Sequence, residues 1–391
     1  LPRKFKIALN GSSSDRAAIA VHDIGIEARK NPSGDVVLDV YVGGGLGRTP
    51  VIGSLIRTGL LERDLLTYVE AILRVYNRYG RRDNKYKARI KILVRAMTPQ
   101  VFRERVDAEW EHLHDGPGAL TDEEILRVKN SFVPPEYVDL NNEESLLGMQ
   151  RLENRHFDAW VKNNVDDHKQ AGYAIVTLST KTTGIPPGDV TDIQMDSVAD
   201  WSDKYGYGEL RISHEQNFVL PDVRQSDLLE LFVAAEKAGL GAANVGLLTD
   251  VICCPGGDYC SLANAKSIPV AEEIQRRFDD YDYLHDLGPL DLNISGCMNA
   301  CGHHHVGHIG ILGVDKKGAE FYQISLGGHA GNSASLGEIV GPSFSRAEVT
   351  DSIVKILDVY TQSRMPDESF LDCYRRIGMK PFKEHVYANS G

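Results

Sequence analysis

The sequence predicts an α+β protein: a pseudo-symmetric internal repeat of mixed sheets flanked by helices, with the first copy truncated at its N-terminus. Three observations predict it. A shift of 285 residues carries Gly11 onto Gly296, and Val21-His22-Asp23-Ile24-Gly25-Ile26 onto Val306-Gly307-His308-Ile309-Gly310-Ile311. After one residue of slippage, a shift of 284 carries Gly43, Gly44, Gly47 and Gly53 onto Gly327, Gly328, Gly331 and Gly337, and Ile72–Tyr76 onto Ile356–Tyr360. Finally, only ten residues precede Gly11, whereas strand-like and helix-like stretches lead up to Gly296. That asymmetry is the basis for expecting the first copy to begin midway.

The opening Arg3-Lys4-Phe5-Lys6-Ile7 reads as a strand. Lys4 and Lys6 share one face, while Phe5, Ile7 and Leu9 share the other. Gly43-Gly44-Gly45-Leu46-Gly47 lacks the spacing of a dinucleotide fingerprint. Its recurrence near Gly327 predicts a shared strand-to-helix turn instead. Leu65 to Tyr79 carries apolar residues at 65, 66, 69, 72, 73 and 76, the helical period. The basic run from Arg78 to Lys91 reads as a solvated helix face, with an anion contact or docking patch as the sharper reading. Residues 97–155 read as a helical connector broken at Gly116-Pro117-Gly118 and Pro134-Pro135. Strands are expected at Tyr173–Leu178, Glu209–Ser213 and Phe218–Leu220, then a helix at Ser226–Ala238.

Composition narrows the function classes. The 391 residues are 42% hydrophobic and 25% charged, with a net charge of −12. That is a globular composition with material for two or three domains. Its acidic balance argues against a nucleic-acid partner, which needs a clustered positive field. No apolar run reaches the roughly 18 residues of a membrane span, so no membrane partner is expected, and a cytoplasmic location is. Six cysteines are too few for a disulfide scaffold, yet five of them fall between 253 and 301. Such clustering points to metal or redox chemistry.

Cys254 and Cys260 are separated by five residues, Cys297 and Cys301 by three. The first spacing is poor for structural zinc, whereas four thiolates on two such loops suit an iron–sulfur cluster. Cys253 and Cys373 read as buried apolar residues. Ser12 and Arg16 stand in the first copy where Cys297 and Cys301 stand in the second, so only the second copy can hold a cluster.

Cys254-Pro-Gly-Gly-Asp-Tyr-Cys260-Ser-Leu-Ala and Ser295-Gly-Cys297-Met-Asn-Ala-Cys301-Gly resemble the two signature segments of the sulfite/nitrite reductase family. Leu1-Pro-Arg-Lys-Phe-Lys6, Val42–Gly47 and Leu210–Asn217 also resemble family segments, so the similarity runs over nearly the whole chain. The nearest pattern is the haemoprotein branch of the bacterial assimilatory sulfite reductases, without its N-terminal part.

The resemblance implies an oxidoreductase that reduces sulfite to sulfide by six electrons at a sirohaem joined through a cysteine sulfur to a [4Fe–4S] cluster. Nitrite reduction to ammonia, or a non-catalytic cofactor-binding fragment, is the alternative. It implies Cys254, Cys260, Cys297 and Cys301 as cluster ligands, with Cys301 shared by the sirohaem iron. Lys4 and Lys6 are implied as the anion-binding pair, and Asn299 and Arg211 as cofactor contacts. His303, His304, His305 and His308 are expected in supporting or solvent-facing roles around the cluster loop. The implied organisation is a cluster-free repeat half at 1–96, the connector at 97–155, a ferredoxin-like half domain at 156–240, and a sirohaem and cluster domain at 241–391. Nothing in the sequence forms a flavin or NADPH site, so electrons are expected from an NADPH flavoprotein subunit or from ferredoxin.

Overall fold

The computed structural model describes residues 1, 4–140 and 144–388, apart from the side chains of 144 and 145; Arg3 of the expected opening strand lies outside them. The chain divides into two compact units. One is Leu1–Pro134 together with His329–Leu336; the other is Pro135–Gly328 with Gly337–Gly391.

In the first unit, β1 (Ile7–Asn10), β2 (Ile24–Lys30), β3 (Val36–Val42) and β4 (Ser54–Leu61) form a sheet in that order. β1 runs parallel to β2, and the other pairs are antiparallel. The helix Leu65–Tyr79 has the bounds its periodicity predicts. It buries Tyr68, Ala71, Ile72, Val75 and Tyr76 against the sheet, while Leu66 is half exposed. The buried face is therefore turned relative to the apolar stripe read from the sequence, because the aromatic rings of Tyr68 and Tyr76 claim the centre. The helix Pro99–Trp110, inside the expected connector, contributes Phe102 and Val106 to the same core. Trp110 packs edge-on against Tyr68 with centroids 5.4 Å apart and donates Nε1–H to Thr67 Oγ1 at 3.0 Å.

Two expectations need correction here. The opening strand starts at Ile7, not Arg3, because Lys6 N–H is taken by a side chain, Asp23 Oδ2 at 3.0 Å. Phe5 packs against the core, but Ile7 and Leu9 are half exposed on the edge strand. The glycine turn, moreover, leads from β3 into β4 before the helix begins. The segment Ser54–Leu61 pairs back on β3 through a register shift, so a fourth strand separates turn from helix.

The second unit holds two sheets. β5 (Val165–Asp167), β6 (Tyr173–Leu178), β7 (Arg211–Ile212) and β8 (Phe218–Arg224) lie in the order β5-β6-β8-β7, all antiparallel. The helices Arg155–Asn164 and Leu228–Ala238 share their core, where Trp160 and Phe232 meet at 5.3 Å. The other sheet comprises β9 (Ile252–Cys253), β10 (Leu292–Ser295), β11 (Ile309–Lys316), β12 (Ala319–Leu326), β13 (Glu338–Ile339) and β14 (Phe344–Ser345). Its order is β13-β12-β11-β10-β9, with β14 also on β12. The helix Arg346–Ser363 buries Ile353, Ile356, Leu357 and Tyr360 in its core.

The repeat is visible in the register itself. Ile7 pairs with Ile24 and Asn10 with Glu27 across β1 and β2; Leu292 pairs with Ile309 and Ser295 with Leu312 across β10 and β11. Each residue in one set is offset by 285 from its counterpart. The Ile24↔Val42 pair and the Gly45↔Val51 bridge recur as Ile309↔Leu326 and His329↔Ser335. Gly25 and Gly310 sit where a Cβ would run into the carbonyl oxygens of Ile19 and His304, so the connection from the preceding loop passes directly over the strand in both copies. β10 is flanked by β9, whereas β1 has no second neighbour among the described residues.

Gly310→Ala should therefore cost about 3 kcal/mol, since backbone rather than a mobile side chain must give way. Gly148→Ala, in open space on the helix Glu144–Glu153, should stabilise by up to about 1 kcal/mol. Urea unfolding followed by circular dichroism reads both; equal effects would contradict the packing described.

Candidate functional site

The four expected cluster cysteines lie on two loops of the second unit that lock together through backbone. Cys254 follows β9 and donates its N–H to Ile294 O at 3.1 Å, extending the parallel pairing with β10. Its sulfur accepts Gly296 N–H at 3.1 Å and lies 3.6 Å from Ser267 Oγ. A single turn, Gly256–Tyr259, then brings Cys260 round, with Cys260 N–H on Gly256 O at 2.9 Å. Gly296 O accepts from both Asn264 and Ala265 at 2.8 and 3.1 Å. A Cβ on Gly296 would lie 2.7 Å from Ala265 O and 2.8 Å from Gly256 Cα. One glycine thus fixes how closely the two cysteine loops approach.

Beyond Gly296 the chain turns sharply through Cys297 and Cys301. Ala300 and His303 both adopt left-handed backbone at φ 56°, a costly conformation for side-chain-bearing residues and one that collects at functional sites. Burial pushes the Cys297 thiol up; the Asn299 backbone N–H opposes the shift, and Cys301, Cys254 and Cys260 add to it. The bond from Gly296 N–H, one residue before Cys297, to Cys254 Sγ ties the two cysteine loops together. All four thiols are free of disulfides. Cys297 is buried, Cys254 and Cys260 are partly buried, and Cys301 is exposed. Four thiols free of disulfides and of graded exposure, on two loops joined at Gly296, fit a cluster that is buried on one side and open on the other. Cys253 and Cys373 are buried, as expected of apolar residues.

The histidines after the turn divide. His304 is buried, both of its ring nitrogens lack a partner among the described residues, and burial pushes its pKa down to about 3. His308, also buried, is pushed down to about 4 by burial and accepts Asp291 N–H on Nδ1. Both rings are neutral near pH 7. Asn299 is exposed on the turn. Arg211 lies on β7, exposed, in an ion pair with Glu209 at 2.5 Å.

Two further supports escaped sequence reading. The Gln216 side chain exchanges two hydrogen bonds of 3.1 Å with the backbone of Cys253, acting as a strand partner one residue before the first ligand candidate. Gln216 itself sits at φ 67°. Lys181, with its side chain wholly buried, donates to Glu215 O, Asn217 Oδ1 and Asp250 Oδ1 at 2.6, 2.9 and 3.2 Å, tying that segment to the loop before β9. Gln216 falls inside the run Leu210–Asn217, which the sequence marks as a family-like segment without pointing to this role, whereas Lys181 carried no signal.

In the first unit, Lys4 and Lys6 are exposed on the stretch leading into β1. The basic run after the helix Leu65–Tyr79 is exposed at Arg81, Arg82, Lys85 and Lys87, as a solvated run would be, but it forms no continuous helix face. Residues 81–84 are loop, a short turn occupies Lys85–Lys87, and a new helix starts at Ile90. Arg89 is turned inward onto Asp23, which is fully buried. Lys91 is buried too and donates to the carbonyls of Gly45, Leu46 and Thr49 at 3.3, 2.8 and 2.5 Å; burial pulls its pKa down to about 8. Runs of charge look solvated in sequence because carbonyl acceptors leave no trace there.

Comparison with known proteins agrees with this geometry. The family described as "Nitrite and sulphite reductase 4Fe-4S domain" matches residues 1–113 and 246–391, and the "Nitrite/Sulfite reductase ferredoxin-like half domain" matches 169–238. A sulfite reductase [ferredoxin] of Mycolicibacterium paratuberculosis is 24% identical over 95% of this chain and 61% of its own length. An assimilatory ferredoxin-dependent nitrite reductase of Haloferax mediterranei is 25% identical over 95% of this chain and 60% of its own. The solved structure of the Mycobacterium tuberculosis NirA protein superposes with a TM-score of 0.74 and 23% identity, covering 98% of this chain and 64% of that one. The chain therefore spans about 60% of the length of the curated relatives it matches. Among the described residues no helix is long and apolar enough to cross a membrane. With its cysteine loops and its duplicated half-sheet both matched, the chain belongs to the nitrite and sulphite reductase 4Fe-4S domain family.

Proposed function

We propose that this chain holds a [4Fe–4S] cluster on Cys254, Cys260, Cys297 and Cys301, shares Cys301 with the iron of a sirohaem, and reduces sulfite to sulfide with six electrons. The observation that carries the reading is that the two loops bearing four free thiols are clamped together at Gly296. When bound, the paired cofactors supply electron storage and an iron that takes the anion. The protein supplies the rest. Gly296 N–H already donates to Cys254 Sγ at 3.1 Å, which fixes that sulfur against the second cysteine loop. Lys4 and Lys6 hold the anion with their ammonium groups and pass protons from Nζ to the departing oxygens. Asn299 and Arg211 are proposed cofactor contacts; Arg211 would share its guanidinium between Glu209 and a cofactor carboxylate. In this reading residues 241–391 form the cofactor domain, 156–240 the ferredoxin-like half domain, 97–155 the connector and 1–96 the cluster-free half.

The printed names of the relatives above specify ferredoxin, which supports ferredoxin as the electron donor and lends nothing to an NADPH flavoprotein. They also favour a second substrate reading. A nitrite reductase matches as well as a sulfite reductase does, so nitrite is the competing anion.

Cys260→Ser should cost the chain most of its iron and labile sulfide. Gly296→Ala should lower both by more than half with every thiol still present; full iron in Gly296→Ala would contradict the clamp. With reduced viologen as donor, Lys4→Ala and Lys6→Ala should each raise KM for sulfite about tenfold, the loss expected of one charge-assisted contact. A kcat/KM for nitrite above that for sulfite would replace the first substrate reading with the second. Cofactor bound without turnover of either anion would sink both.

A further inference from the structure

The geometry points to Asp23 and Arg89 as the positioning pair of the lysine-bearing stretch that leads into β1, an inference that rests on the reading of Lys4 and Lys6 as the anion site. The Lys6 peptide is gripped on both sides. Its N–H donates to Asp23 Oδ2 at 3.0 Å, and its carbonyl accepts Ile24 N–H at 3.1 Å. Asp23 is itself pinned, since its carbonyl accepts Gly43 N–H at 3.0 Å and its side chain is fully buried. A buried carboxylate needs a partner, and Arg89 provides one from the far end of the basic run, Nη2 to Oδ2 at 2.7 Å and Nε to Oδ1 at 3.1 Å.

The second copy shows what this arrangement is for. The residue equivalent to Lys6 is Asp291, and that equivalent to Asp23 is His308. Asp291 N–H donates to His308 Nδ1 at 3.1 Å, Ile309 N–H to Asp291 O at 3.0 Å, and Gly327 N–H to His308 O at 3.0 Å. The same three-bond lock is built twice. Accepting that peptide N–H on Nδ1 leaves the His308 imidazole neutral there, so holding the strand requires no charge. The first copy uses a carboxylate and cancels it with a guanidinium. With Arg89 in place, the Asp23 carboxylate is already neutralised and adds no pull on the Lys6 ammonium. Without Arg89, the carboxylate becomes an internal competitor for Lys6.

The test uses the cofactor-loaded chain. Sulfite affinity is read from the change in the absorption spectrum, and amide exchange of the peptide covering residues 4–10 is followed in parallel. Arg89→Met should weaken sulfite about tenfold and speed exchange at Lys6. Adding Asp23→Asn, which keeps an acceptor for Lys6 N–H but removes the charge, should bring affinity back to within about twofold of the parent. A purely structural pair would not show that rescue, because the double variant lacks the ion pair as well. Equal sulfite affinity in parent and Arg89→Met would overturn the inference, as would a double variant no better than the single. Lys6→Ala is measured alongside. If it binds sulfite normally, the anion-strand reading fails and takes this inference with it; if it weakens sulfite while Arg89→Met does not, only the positioning role fails. Should Arg89→Met not fold, Asp23→His, which copies the second copy's lock, must keep sulfite affinity within about threefold or the inference falls.

Discussion

Four sulfurs can serve one cluster only if the loops that carry them approach more closely than side chains ordinarily permit. In this chain that approach is made at Gly296, wedged against Ala265 O, Gly256 Cα and Ser267 Oγ, with Gly313 backing it. Everything else around the site fixes where this contact falls. β9 and β10 run parallel and deliver Cys254 and Gly296 from the same end of the sheet. Gln216 completes the backbone of Cys253, and Lys181 fastens the segment carrying Gln216 to Asp250. A buried ion pair of this kind is a poor source of stability but a good source of register, because breaking it strands a charge.

Duplication explains why such a site could arise from ordinary parts. The strand pair, the overpassing loop above Gly25 or Gly310, and the bridged turn at Gly45 or His329 recur at one spacing. The scaffold therefore offers the same loop twice. In one copy the loop after the first strand carries Cys297 and Cys301; in the other it carries Ser12 and Arg16. The copy without these cysteines keeps the geometry and carries Lys4 and Lys6, exposed, on the stretch leading into its first strand. Specialisation required few changes because the backbone hydrogen bonds holding each strand depend little on which side chain is displayed.

Much of this was legible in the sequence, for a physical reason. Glycines at close approaches cannot be replaced, so the repeat announces itself through Gly25 and Gly310 or Gly44 and Gly328. Thiolate ligands have no substitutes, so the cysteine pairs stand out, and a core helix such as Leu65–Tyr79 must keep its period. The remainder was hidden where one side chain stands in for backbone. β1 starts late because Asp23 replaces a strand partner, Gln216 acts as a strand, and Lys91 fills a nest of carbonyls. Arg89 read as solvated because its neighbours are. None of these roles follows from composition or period; each depends on which loop folds back over which strand.

The central claim is that this chain gathers its thiols around a cluster coupled to a sirohaem. The most direct measurement is the absorption spectrum, together with iron and labile-sulfide content, of the chain purified anaerobically from a sirohaem-producing host. The account predicts a haem-like spectrum with about five irons and about four labile sulfides per chain, the sum of one cluster and one macrocycle iron. A colourless protein, or one holding zinc on these cysteines, would contradict it.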